Sequence, residues 1–156
     1  MQQTRIMNSC GYNFLGKENV FPNDWEFLRF LYLYNVALVQ EFLDQTRKRI
    51  SNGVEITFTK KASDELLDLM LDFDINVSDV EAAIENLSPE NYFRGIDPSG
   101  GKDFNVCAFC TTVGKDKLEI YLKYGVQVAG LQILLFSNHV PDFPMNYPFK
   151  NKNDGN

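Results

Sequence analysis

The chain has 156 residues, 44% of them hydrophobic, and a formal net charge of −6. That length and apolar content suit one folded domain with a real core and exclude an intrinsically disordered chain. Residues 1–90 hold 8 Lys+Arg against 15 Asp+Glu, and residues 91–156 hold 7 against 6, so the first part is a poor match for a phosphate backbone.

The first twenty residues carry Arg5, Asn8, Asn13, Lys17 and Glu18 with no sustained apolar stretch, so no secretory leader is expected. Phe30–Gln40, the greasiest segment, has eleven residues and is too short to span a bilayer. Three cysteines without a framework spacing point to a reducing, cytoplasmic setting rather than a disulfide scaffold.

Taken in order, residues 1–24 are punctuated by Gly11, Gly16 and Pro22 and show no periodicity. Asp24 is placed to cap a helix starting at Trp25, and Phe27–Tyr34 is apolar nearly all round, which fits a helix or a strand. From Val36 the pattern is helical: Val36, Val39, Phe42, Leu43, Thr46 and Ile50 share a face, and Asn52-Gly53 supplies the stop. Val54–Thr59 alternates as a short strand. A helix then runs to about Leu71, capped by Thr59 or Ser63. Ser78 with Glu81 reads as a capping box opening a helix over Asp79–Leu87. Ser88-Pro89 opens a further helical turn carrying Tyr92, Phe93 and Arg94, ended by Gly95. Asp97–Gly101 reads as a loop.

Phe104–Val113, Leu118–Val126 and Leu131–Phe136 read as three strands of an antiparallel meander. The last is apolar almost without break, as for a strand buried on both sides. Tyr121 and Lys123 leave one face of the second strand, and Ile120 and Leu122 the other. The last run ends in Ser137-Asn138-His139, and His139 is the only histidine in the chain. Any half-exposed strand alternates in this way, a histidine at a strand end is often a turn residue, and Arg94 also suits a helix C-terminus. Cys107 and Cys110, three apart on a strand, point to opposite faces and read as packing rather than as zinc ligands. The tail from Val140 holds three prolines with aromatics between them and reads as an irregular strap with a frayed end. The expected fold class is α+β: N-terminal helices packed on one face of a C-terminal antiparallel sheet of three or more strands. Residues 1–35 form an extension, 36–140 the domain and 141–156 the tail.

Leu87-Ser88 followed by Asn91-Tyr92-Phe93-Arg94, then Tyr121-Leu122-Lys123, then an apolar run closing on Ser137-Asn138-His139, resembles the MqsR-type toxins of bacterial toxin–antitoxin systems, within the RelE-like fold. The resemblance covers about Val36–His139. It implies a metal-independent endoribonuclease without cofactor that cleaves mRNA and is neutralised by a cognate antitoxin. By that resemblance, Arg94 stands where the family has a catalytic lysine, Tyr121 matches its tyrosine, Lys123 belongs to its tyrosine-x-lysine strand, and His139 stands at a second basic position. The family's glutamine on the first meander strand has no match here; it would fall near Phe104 or Asn105. Such an enzyme uses the 2′-hydroxyl of RNA as nucleophile. Histidine, whose ordinary charge change lies near neutral pH, is the natural proton carrier, with Arg94 and Lys123 holding the phosphate. The alternative is an α+β interaction module without catalytic activity, with the aromatic Trp25–Tyr34 stretch as its partner surface.

Overall fold

The computed structural model describes residues 24–97 and 103–150. The expected irregular lead-in, most of the Asp97–Gly101 loop and the frayed end lie outside the described residues. The chain divides into two compact units, Met1–Leu38 and Val39–Asn156. Element α1, Asp24–Ser51, is one helix of 28 residues, so Asp24 is its first residue rather than its cap and Phe27–Tyr34 is helical. Phe30 and Tyr34 stack at 6.1 Å along it, the i, i+4 spacing of a helix face. It stops at Gly53, which takes a φ of +93° open to glycine at little cost.

The second unit is α+β. Its five-stranded sheet has the order β1-β5-β4-β3-β2, with β1 (Ile56–Phe58), β2 (Tyr92–Asp97), β3 (Phe104–Val113), β4 (Leu118–Gln127) and β5 (Ile133–His139). The meander β3-β4-β5 is antiparallel, as expected, and the sheet is enlarged at both ends. β1 adds in parallel to β5, and β2 adds antiparallel to β3. The residues expected to end a short helix at Gly95 therefore form a strand instead. Only Pro89–Asn91 makes a helical turn, of 3-10 type. Tyr92 and Phe93 then follow their aromatic preference for a pleated surface. Gly95 is a bulge residue, not a helix stop: at φ +113°, a Cβ there would sit 3.0 Å from Cys107 Cα and from the Val106 carbonyl.

β5 starts two residues later than its apolar run and includes Ser137-Asn138-His139, while Leu131 lies outside it, 67% exposed. Its apolar part is fully buried on one face only, since Leu134 and Phe136 are half-buried beside fully buried Ile133 and Leu135. Helix α2 (Lys60–Phe73) is capped by Thr59, whose hydroxyl accepts from the Ala62 N–H at 3.1 Å. Helix α3 (Val77–Glu85) starts earlier than expected. Its capping box joins Asn76 and Asp79, each side chain accepting the other's N–H at 3.0 Å, rather than Ser78 and Glu81.

Phe42 and Leu43 of α1, Leu66 and Leu69 of α2, and Val80 and Ile84 of α3 form the core with Cys107, Phe109, Leu122, Tyr124 and Leu135 of the sheet. The ring of Phe42 lies 5.1 Å from Tyr124 and 6.0 Å from Phe109. The Tyr124 hydroxyl donates to Thr46 Oγ1 at 2.8 Å, because the Thr46 proton already goes to the Phe42 carbonyl at 3.0 Å. Burial pushes the Tyr124 phenol far above its ordinary value. Arg47 donates to the carbonyls of Glu85 and Leu87, and Arg49 to those of Gln127 and Gln132, so these two cations hold the α3 exit and the β4–β5 connection.

Residues 140–150 form the expected strap. Tyr147 donates to the Glu119 carboxylate, and Phe149 stacks on Tyr92 at 4.7 Å. Beside them Cys110 is buried on the face opposite Cys107, as the i, i+3 spacing on a strand requires, and burial pushes its thiol up to about 11.

Tyr124→Phe is expected to lower the unfolding free energy by about 1 kcal/mol, and Phe109→Ala by about 3–5 kcal/mol, in urea titrations. The unfolded Cys110 thiol ionises near 9.0 and the folded one near 11, so the unfolded chain is the more ionised between those values. Stability is therefore expected to fall as pH rises through that window, and Cys110→Ser to flatten the fall; an unchanged slope in that variant would contradict the assignment.

Candidate functional site

The face of the sheet turned away from the core carries the four residues singled out above. In β4 the pleat that buries Leu122 and Tyr124 turns Tyr121 and Lys123 outward. Directly paired residues share a face, and the register pairs Tyr121 with Cys110 and His139, and Lys123 with Ala108 and Ser137. Arg94 pairs with Ala108 from the other side, so Arg94, Ala108, Lys123 and Ser137 form one row across four strands.

Two bulges widen this row into a groove. On β2, Tyr92 pairs with Phe109 and Arg94 with the next residue, Ala108, leaving Phe93 extra. On β5, Leu135 pairs with Tyr124 and Ser137 with Lys123, leaving Phe136 extra. A bulge re-aims side chains that strict alternation would send to opposite faces. As a result Phe93 and Arg94 both line the groove, and so do Phe136 and Ser137. The groove has a volume of about 550 Å³; its floor is Tyr121, Lys123 and His139, and its further wall is strap residues Pro141, Asp142, Phe143 and Met145. Arg94, Tyr121, Lys123 and His139 thus all border one space.

The aromatic contacts order it. The His139 ring stacks on Tyr121 at 5.0 Å, Phe93 meets Tyr121 edge-on at 6.2 Å, and the Arg94 guanidinium lies 5.1 Å from the Phe93 ring centre. His139 Nδ1 lies 2.7 Å from the Val140 carbonyl. A carbonyl only accepts, so Nδ1 carries the proton and Nε2 of the neutral ring keeps its lone pair.

Lys61 and Glu65 of α2 also belong to the site, although their i, i+4 spacing reads from sequence as an ordinary surface pair. Because β1 ends at Phe58, the edge of β5 beyond it is covered by the first turns of α2. Glu65 accepts from the Asn138 N–H and from Ser137 Oγ, both at 3.0 Å, and Lys61 Nζ lies 2.9 Å from both Glu65 and Ser137 Oγ. The carboxylate thereby satisfies an edge-strand N–H that β1 does not reach, and Lys61 is held at the groove. The Asn138 amide donates to the Ala62 carbonyl at 2.9 Å on the core side.

β3 contributes no polar side chain to the groove floor. Phe104 packs edge-on against Phe136 at 6.2 Å, Asn105 lies in register with Val126, and the place between Arg94 and Lys123 is taken by Ala108. Among the described residues no three His, Cys, Asp or Glu side chains converge on a possible metal position, and no helix is long and apolar enough to cross a membrane. In comparison with known proteins, the chain matches no family model, no curated protein and no solved structure.

Glu65→Ala strands the Asn138 N–H at a partly buried edge and takes the acceptor from the Ser137 hydroxyl proton, and is expected to cost about 1–3 kcal/mol. The direct readout is faster hydrogen exchange at the Asn138 amide; unchanged exchange there would show that Glu65 does not hold the edge.

Proposed function

We propose that this chain is a ribonuclease toxin of the MqsR type, acting in the cytoplasm on mRNA and held in check by a cognate antitoxin. The observation that carries this reading is the meeting of His139, Tyr121, Arg94 and Lys123 around one groove, each from a different turn of the chain or a different strand position. A single strand of RNA suits such a place. Its phosphate meets two cations, and its bases find the faces of Phe93, Phe136 and Phe143.

In the proposed reaction His139 Nε2 takes the proton of the 2′-hydroxyl, and the 2′-oxygen attacks the adjacent phosphorus. The P–O5′ bond breaks, and the imidazolium returns the proton to O5′. The products are a 2′,3′-cyclic phosphate and a 5′-hydroxyl, with no net redox change and no water consumed. The Val140 carbonyl fixes the ring tautomer and Tyr121 fixes its plane. Arg94 grips two phosphate oxygens with its planar fork, and Lys123 adds a point charge as the phosphorane forms.

His139→Ala is expected to slow cleavage of an RNA oligonucleotide by roughly 10²–10⁴-fold, and Arg94→Ala and Lys123→Ala each by roughly 10²–10³-fold, with the fold intact by circular dichroism. A substrate with a single 2′-deoxy nucleotide at the cleaved position is expected to stay whole. His139→Ala protein that cuts at the wild-type rate would refute the assignment. The exposure of Trp25 (71%), Leu28 (57%) and Leu33 (55%) on α1 favours a second reading, an interaction module without catalytic activity. Expression that leaves growth unaffected, together with uncut RNA, would select it.

A further inference from the structure

The helical layer carries a second surface of different character. Ala62, Leu66 and Leu69 of α2 face the core. Leu67 (52% exposed), Met70 (44%) and Leu71 (74%), at i, i+3 and i+4, form an apolar stripe on the solvent side. Phe73, the last residue of α2, and Val77, the first of α3, are exposed as well, at 45% and 40%. Asp64, Asp68 and Asp72, spaced by four, run as a line beside the stripe. At its C-terminal end the stripe opens into a hollow of about 660 Å³ containing Met70, Leu71 and Phe73, rimmed by four carboxylates, Asp72, Asp74, Asp79 and Asp116, and one cation, Lys115.

Single exposed apolar residues are ordinary, but Leu67, Met70 and Leu71 on one helix face, running with Phe73 into a hollow, mark a contact surface. The charge around them says what kind of partner fits. Residues 62–87 hold eight Asp+Glu and no Lys or Arg. Among the described residues, no ion pair involves Asp68, Asp72, Asp74 or Asp116. A second copy presenting the same face would set like charges against each other across a two-fold axis. An extended strand would find no open sheet edge at this place, whereas the ridges of one helix pack into the grooves of another.

The geometry points to a docking site on α2 for a cationic amphipathic helix of a separate polypeptide. Its apolar anchors lie along Leu67, Met70 and Leu71, one bulky side chain enters the hollow by Phe73, and its Lys or Arg residues meet the aspartate line. Opposite charges draw such a helix in and reject acidic ones. This site lies on the helical layer, not in the groove of the sheet, and stands whether or not that groove cleaves RNA.

The test is a titration of the isotope-labelled full chain, followed by amide chemical shifts. The probe is a synthetic helical peptide with leucines at i, i+3, i+4 and i+7 flanked by lysines; its control has glutamates in place of the lysines. Expected are shifts confined to α2, Ile75 and residues 114–118 with the cationic peptide only. Leu67→Ser/Leu71→Ser and Asp68→Asn/Asp72→Asn are each expected to weaken binding by about tenfold or more. These side chains are exposed, so both variants keep the core. Equal binding of the glutamate peptide, or undiminished binding by the leucine variant, would reduce the surface to unspecific attraction and overturn the proposal. Shifts at residues 1–23 on peptide addition would assign the surface to the chain's own N-terminal segment. Self-association of the free protein abolished by Leu71→Ser would assign it to a second copy. Either result would overturn it too.

Discussion

The alternation of β4 is the constraint on which the rest depends. Ile120, Leu122 and Tyr124 are fully buried beneath the helices, and the intervening Tyr121 and Lys123 have no choice but the other face. A slip of one residue would drive a lysine into the core and bring Leu122 into water, a change no other contact could offset. The aromatic cluster of Phe42, Phe109 and Tyr124, tied by the Thr46 hydroxyl, therefore positions the groove from the opposite side of the sheet. Site and core are two faces of one register.

Charge is sorted by the same layering. The acidic surplus of the first ninety residues sits largely on the helices, and the cations Arg94, Lys123 and Lys61 border the groove of the sheet. An overall charge of −6 is thus compatible with a locally cationic place for phosphate. Lys61 shows how local this is: it belongs to the acidic helical layer, yet Glu65 and Ser137 hold it at the groove.

Much of this was readable from residue order, and the unreadable parts share a cause. The C-terminal half of α1, the N-terminal cap of α2, and strands β3 and β4 follow from local periodicity and turn chemistry. Asn76 and Ser78, two residues apart, are both good caps for α3, and Asn76 wins through its reciprocal partner Asp79. The strand at Tyr92–Asp97 was hidden behind the helix-starting Ser88-Pro89, and only pairing with β3 reveals it. The two bulges exist only relative to a partner strand, so no pattern within Tyr92–Arg94 or Leu135–Ser137 announces them. Without them Phe93 and Phe136 would be expected on the faces opposite Arg94 and Ser137. Glu65 owes its place at the site to β1 stopping short of Asn138, which no pattern within α2 announces.

On the proposed reading the outer face of β4 and β5, framed by the two bulges, receives an RNA phosphate beside His139. The most direct measurement is a titration of the full chain with a short RNA made uncleavable by one 2′-deoxy nucleotide, read by backbone amide and His139 ring shifts. Saturable shifts are expected at Arg94, Tyr121, Lys123, Ser137 and His139, weakening with salt and lost in Arg94→Ala/Lys123→Ala. Shifts absent from these residues, or confined to the helical layer, would contradict it.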